Sequence, residues 1–404
     1  MSIEVRACAS RDELRGALLP IWHYFGSALS DEQLASFARV LAPPRACCAW
    51  DGSQIIGGAG ALALDLTVPG GRVRAAGVTV VGVLPTHRRR GVLRALMRHQ
   101  LDACRERDEP VAYLWASEEA IYGRFGFGLA SLSAAIDLPR EHAAYHGPPG
   151  LAGNASLVPL DAAEALLSPI FARVADTVPG MFLRSSDWWQ ARVLTDPEWR
   201  RQGRGNLQCV VIALDHRPSA YALYRVNPRL AEGAAAGSLE IVEALGESPK
   251  ATHALWRYLL DIDLMSRTQA ALLPLDHPLL LMVAEPRRLR LNIRDGTWLR
   301  LVDVGTALSA RTFGSGGTVV VGVVDAFCPW NAGNWRVGTG VVERTGDPAD
   351  LRCDVSALGS VYLGGFTWGQ LFRALRVEAS HPDAIRRADA IFQPLGAPWC
   401  PEIF

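Results

Sequence analysis

A chain of 404 residues is longer than one hydrophobic core ordinarily serves, so two or three domains are expected. With 49% hydrophobic and 20% charged residues the composition is that of a folded chain, which excludes a disordered one. Basic and acidic residues both number 41, so no net positive field argues for nucleic acid as a partner.

No apolar run reaches the roughly 20 residues of a membrane helix. Glu4, Arg6, Arg11, Asp12, Glu13 and Arg15 break up any signal-peptide core. No membrane partner is expected, and the expected location is cytoplasmic. The eight cysteines form no C-x-x-C pair and the nine histidines no H-E-x-x-H pattern, so reduced, packed thiols and no metal are expected.

In chain order, Ile3 to Ala7 reads as a strand, and Ser10 as the N-cap of a helix running to about Phe25. Asp31 to Leu41 is a second helix. Arg45 to Trp50 and Gln54 to Val68 are strands joined at Asp51-Gly52, the latter ending at Pro69-Gly70-Gly71. The β-branched run Val78 to Leu84 then stops at Pro85. Beyond His87-Arg88-Arg89-Arg90-Gly91, apolar residues recur at Val92, Leu93, Leu96, Met97 and Leu101, the spacing of a helix face. A helix starting near Gly91 leaves its first N–H groups unpaired and carries partial positive charge. Gly91 permits close approach, and three arginines add charge. That combination suits a pyrophosphate.

Pro110 to Ala116 is the next strand, and Ser117 is expected to cap a short helix, Glu118 to Tyr122, before G-R-F-G-F-G. One strand, Leu129 to Leu138, is expected to close this mixed α/β unit. The passage Tyr145 to Gly153, rich in proline and glycine, reads as a linker. Helices at Asp161 to Asp176 and Ser186 to Leu194 follow, then strands at Leu207 to Leu214, Ala220 to Val226 and Leu239 to Leu245, and a helix from Ala251 to Asp263. The last strand and helix echo the first strand–turn–helix, but Gly246-Glu247-Ser248-Pro249 puts an acid where arginines stood. That is the mark of an internal repeat without a phosphate loop. After Pro286, strands at Thr297 to Val304, Gly317 to Val324, Trp335 to Glu343 and Leu351 to Val355 precede helices at Val355 to Tyr362, Thr367 to Leu375 and Pro382 to Phe392. This order predicts an α+β domain.

The cationic turn after a strand resembles the acetyl-coenzyme A loop of the Gcn5-related (GNAT) N-acetyltransferases. Across its length the chain resembles the Eis (enhanced intracellular survival) family. The likeness rests on V-L-P-T-H-R-R-R-G at 83–91, W-A-S-E-E-A-I-Y-G-R-F-G-F-G at 115–128, Y-A-L-Y-R-V at 221–226, T-W-L-R-L-V-D-V at 297–304, L-G-S-V-Y-L-G-G at 358–365 and the terminal E-I-F. It implies two tandem GNAT-like mixed-sheet domains, the second degenerate, followed by a sterol-carrier-protein-like α+β domain. The expected limits are 1–144, 154–286 and 287–404, assembled as a homo-hexamer.

By matching motif, the resemblance implies acetyl-coenzyme A contacts at Val81, Gly82, Val83, Arg89, Arg90, Gly91, Val92, Leu93, Arg94, Ser117 and Glu118. It implies Tyr122 as general acid and the α-carboxylate of Phe404 as general base. A main-chain carboxylate has a reference pKa of about 3.5, so this role calls for burial, which Trp399, Ile403 and the Phe404 ring are expected to supply. Trp22, His23, Tyr24, Phe25 and Trp50 either line an acceptor cavity or, for most of them, fill the core.

The implied reaction is acetyl transfer to primary amines of aminoglycosides or similar cationic small molecules. Lysine or peptide acceptors are the alternative, and a non-catalytic protein holding acetyl-coenzyme A or lipid belongs to another class. Two departures bear on the acceptor. The family pattern admits an aromatic residue where this chain has Val80, and an acid where it has Ile403, with Glu402 one place earlier.

Overall fold

The computed structural model describes residues 3–146, 153–393 and 396–404. The chain forms two compact units: Met1–Ser131 with Gly296–Pro398 and Ile403–Phe404, and Leu132–Asp295 with Trp399–Glu402.

In the first unit, β1 (Glu4–Ala7) leads into α1 (Arg11–Tyr24), whose N-cap Ser10 accepts the Glu13 N–H at 3.2 Å. Helix α2 (Asp31–Val40) opens on a capping box of Ser30 and Gln33. Strands β2 (Ala46–Asp51), β3 (Gln54–Val68) and β4 (Gly71–Val83) form an antiparallel meander. Then come α3 (Val92–Glu106), β5 (Val111–Trp115), α4 (Glu119–Tyr122) and β6 (Gly128–Leu129). The N-cap of α4 is Glu118 and no side chain caps it, so the expected Ser117 cap does not form.

The single strand expected over 129–138 is two. Strand β6 ends at Leu129, and β7 (Leu132–Pro139) belongs to the second unit. That unit continues with β8 (Asn154–Leu157), α5 (Leu160–Ala175), β9 (Leu207–Leu214), β10 (Arg217–Asn227), β11 (Gly237–Gly246), α6 (Pro249–Leu260), β12 (Met265–Pro274) and β13 (Asn292–Asp295). Its seven-stranded sheet runs β13-β7-β12-β11-β10-β9-β8. Of the expected linker, residues 147–152 lie outside the described residues, and Tyr145 bridges to Val283.

Strand β14 (Thr297–Leu301), expected to open the third domain, instead completes the first sheet. It pairs antiparallel with β5 and β6, giving the order β1-β2-β3-β4-β5-β14-β6. Helix α7 (Val304–Ser309) follows, then β15 (Thr318–Val324), β16 (Gly333–Gly338), β17 (Val341–Thr345), β18 (Leu351–Asp354), α8 (Val355–Tyr362), α9 (Trp368–Arg373), β19 (Val377–Ala379) and α10 (Pro382–Ile391). These strands make a five-stranded sheet, β17-β16-β15-β18-β19. The strand expected over 335–343 is a hairpin, turned at Thr339-Gly340.

Val78, Met97, Leu101, Leu114, Phe125 and Phe127 share one buried cluster with Val302, Phe327 and Cys328, so the first sheet and the start of the α+β part have a common core. Each fully buried leucine there contributes about 2 kcal/mol. All eight cysteines are buried and none is in a disulfide. Among the described residues no helix is long and apolar enough to cross a membrane.

Candidate active site

Strand β4 pairs in parallel with β5 only where Ala75, Ala76 and Gly77 face Val111, Ala112 and Tyr113. Beyond Gly77 the two strands separate while β4 runs on to Val83, which takes one edge of its last residues out of the ladder. The register with β3 shifts between Gly58 and Gly60, opposite Val80, whose φ is +49°. Positive φ is strained for a β-branched residue, and bulges of this kind re-aim the strand that carries them. The separated edge and the bulge together aim Val81, Gly82 and Val83 at a cavity.

That cavity encloses about 950 Å³. At its cationic end α3 begins on Gly91, φ +84°, with no side-chain cap. A Cβ at Gly91 would meet nothing within 4 Å, so it is the left-handed backbone that calls for glycine. The amides of the first turn of α3 stay open to an anion. Val81, Gly82, Val83, Arg89, Gly91, Val92, Leu93, Arg94, Ser117, Glu118 and Tyr122 all line the cavity, so the structure brings most of the expected residues together.

Two expected residues do not line it. Arg90 points instead to the hairpin between β2 and β3, where its Nη2 lies 3.0 Å from Asp51 Oδ2. Of the three consecutive arginines, Arg88 and Arg89 are the lining ones. Arg88 stacks over the Tyr24 ring at 4.7 Å and donates from Nε to the Tyr24 hydroxyl at 2.7 Å. That hydroxyl in turn donates to the Val83 carbonyl at 2.8 Å, tying the arginine to the strand end.

Phe404 is the second residue outside the lining. Its ring lies 5.7 Å from that of Tyr113 on β5, tilted by 31°. The C-terminus therefore rests against the first sheet. Glu402, in the second unit, is held by Arg184 Nε at 2.7 Å and Trp188 Nε1 at 2.5 Å. Its carboxylate is thus already engaged by the chain.

Tyr122 ends α4 with 9% of its surface exposed, its ring edge-on to Phe127 at 5.9 Å. Burial, and after it the charge of Glu118, push its pKa up to about 12, so the hydroxyl keeps its proton at neutral pH. Among the described residues Glu118 is the one side-chain carboxylate in a lining that also holds His87, Arg88, Arg89, Arg94 and Arg124. Anionic ligands are favoured at that end.

Sequence reasoning missed Ile21 and Arg124, counted Arg88 only as one of three arginines in the turn, and left Tyr24 and Phe25 open between cavity and core. Both belong to the cavity wall, 39% and 64% exposed, whereas Trp22 is buried edge-on to Phe37 at 5.2 Å. The spacing of Ile21, Tyr24 and Phe25 at the end of α1, one helical face, is the signal that marks them.

Known proteins share the domain order. Models of the GNAT acetyltransferase domain match residues 9–130 and 180–301, and a sterol carrier protein domain matches 304–401. The fold and the lining define an N-acetyltransferase with two GNAT domains and a sterol-carrier-like domain. An uncharacterized N-acetyltransferase of Streptomyces avermitilis is 42% identical over 94% of each chain. N-acetyltransferase Eis of Mycobacterium tuberculosis is 34% identical over 84% of each. The crystal structure of Eis1 from Mycobacterium abscessus superposes over the whole of both chains with a TM-score of 0.86 at 37% identity. The chain belongs to the Eis-like N-acetyltransferases.

Proposed function

We propose that the cavity binds acetyl-coenzyme A and that the chain passes its acetyl group, by direct attack, to a primary amine of an aminoglycoside or similar cationic small molecule. The observation that carries this reading is that an uncapped helix N-terminus, a freed strand edge and a buried tyrosine line one cavity. Arg89, Arg94 and the first amides of α3 fit a pyrophosphate. Main-chain groups of Val81 and Val83 fit the amides of the pantetheine arm, as an added strand would. The coenzyme supplies the thioester. When the amine nitrogen bonds to the acetyl carbon and the C–S bond breaks, Tyr122 gives its proton to sulfur. A tyrosine held neutral still carries the proton at neutral pH, so it has one to give as charge develops on sulfur. Phe404 lies outside that lining and Ile403 beside it is 60% exposed, so its α-carboxylate takes the proton that the amine loses through an intervening water.

The test is thiol release from acetyl-coenzyme A across aminoglycosides, polyamines, arylalkylamines and lysine peptides. Turnover on several aminoglycosides is expected. Turnover only on another class would keep the chemistry and move the acceptor. No turnover on any amine would favour a protein that holds the coenzyme without reacting. For the base, deleting Phe404 or extending the chain by one glycine is expected to lower kcat and spare coenzyme affinity; unchanged kcat would remove Phe404 from the mechanism. The reading extends to a cytoplasmic homo-hexamer on the likeness to the Eis family, which light scattering tests.

A further inference from the structure

The turn after β15 belongs to the sterol-carrier-like domain, yet it packs behind the cavity wall. Buried Asp325 organises it: Oδ1 accepts the N–H groups of Phe327 at 3.1 Å and Cys328 at 2.8 Å, and Oδ2 accepts from Asn331 at 2.9 Å. Arg300, on β14 and fully buried, pairs with the same carboxylate at 2.5 Å. Its other terminal nitrogen donates to the Phe125 carbonyl, in the turn that follows Tyr122. Gly126 stands there at φ +81°, and a Cβ would lie 1.6 Å from Arg300 Nη1, so this contact needs glycine.

Held in this way, Phe327 meets two cavity walls. Its ring is edge-on to Phe125 at 5.2 Å. The guanidinium groups of Arg98 and Arg94 lie 4.1 and 5.1 Å from the ring centre. Arg98 also donates to the Phe327 carbonyl and pairs with Asp102, which fixes the ring against α3. Arg105, further along the helix, stacks on Trp330 at 4.7 Å. A face of α3 that carries arginines is thus laid on aromatic rings of another domain. Arg94 and Phe125 both line the cavity, whereas Phe327 does not.

We propose that Phe327 is a positioning residue for the coenzyme site, setting Arg94 so that its guanidinium faces the cavity. The inference rests on the acetyl-coenzyme A reading given above. Stacking engages the face of a guanidinium and leaves its N–H edge for an anion. A ring that holds the side chain beforehand also lowers the ordering cost when the anion binds. On this account the sterol-carrier-like domain belongs to the acetyltransferase machinery whatever else it binds.

The experiment is a double-mutant cycle on the full chain, read as KM for acetyl-coenzyme A and kcat with a saturating amine. Arg94→Gln is expected to raise KM about tenfold. Phe327→Leu, which keeps apolar bulk and loses the ring, is expected to raise it about fivefold and to leave kcat within about twofold. In the Arg94→Gln background, Phe327→Leu should add nothing, because its effect runs through that side chain. Independent, multiplying effects would overturn the proposal, as would an unchanged KM for Phe327→Leu. An unchanged KM for Arg94→Gln would overturn it from the other side, and an intact response to Arg89→Ala would show that the coenzyme reading itself survives. If the leucine variant does not fold, Phe327→Met takes its place in the cycle.

Discussion

Strand β4 leads through Arg88–Gly91 into α3, and β11 leads through Gly246–Ser248 into α6. Both strands pair in parallel with the next one over a few residues and then run on past it, still paired on their other edge with the preceding strand, β4 from Val78 to Val83 and β11 from Val242 to Gly246. Their helix starts differ. Helix α3 opens on an uncapped glycine beside arginines. Helix α6 has Ser248 as N-cap accepting the Ala251 N–H at 3.2 Å, with Pro249 in its first turn. Just before the cap, the buried Glu247 carboxylate is held by Arg173 at 2.5 Å and by Arg217. The second domain thus caps its helix with its own hydroxyl and pairs the preceding carboxylate with arginines, while the first starts its helix uncapped. The next element differs too: β5 is followed by the helix ending in Tyr122, β12 by Leu279–Met282, which has no hydroxyl. Sharing a fold does not carry the site with it.

This contrast can be broken at several points. The largest effect is expected at Tyr122→Phe, which removes the hydroxyl that the second domain lacks. Steady-state kinetics should show kcat down about 100-fold with coenzyme affinity kept. The same pair bears on pH. Because burial raises the Tyr122 pKa to about 12, the folded state favours the neutral phenol. Its contribution to stability is complete below the reference value near 10 and is lost as pH climbs towards 12. Thermal melts of Tyr122→Phe should therefore fall less steeply than wild type over that window.

Arg89→Ala, which makes the first turn more like the second, is expected to weaken acetyl-coenzyme A binding about 30-fold by calorimetry. Glu247→Ala removes the pairing with Arg173 and Arg217 in the second domain instead. It should cost about 1 kcal/mol in denaturant unfolding and leave coenzyme affinity alone. Smallest of all, Arg90→Ala breaks a partly exposed pair with Asp51, and coenzyme affinity should stay within about twofold. A loss as large as that of Arg89→Ala would put Arg90 back in the site.

How far these features were legible in the sequence follows the distance over which each is decided. The bounds of β3, β9 and α8 match the expected ones, since alternation, turn residues and caps act within a few positions. The ladder that places β14 in the first sheet is not local: the Ser131 hydroxyl lies 2.7 Å from that of Thr297, far along the chain. Strand β12, M-S-R-T-Q-A-A-L-L-P, lacks the β-branched alternation that would have announced it. In the site, Gly91 and Tyr122 could be read from motifs. Three arginines in a row could not be told apart, because Tyr24 and Asp51, both distant in sequence, decide which of them turn inward.

The most direct measurement is a calorimetric titration of acetyl-coenzyme A into the full chain. The account predicts one molecule bound per chain, with the heat abolished or sharply weakened by Arg89→Ala and unaffected by Glu247→Ala. Two molecules per chain, or a single one whose binding ignores Arg89, would contradict it.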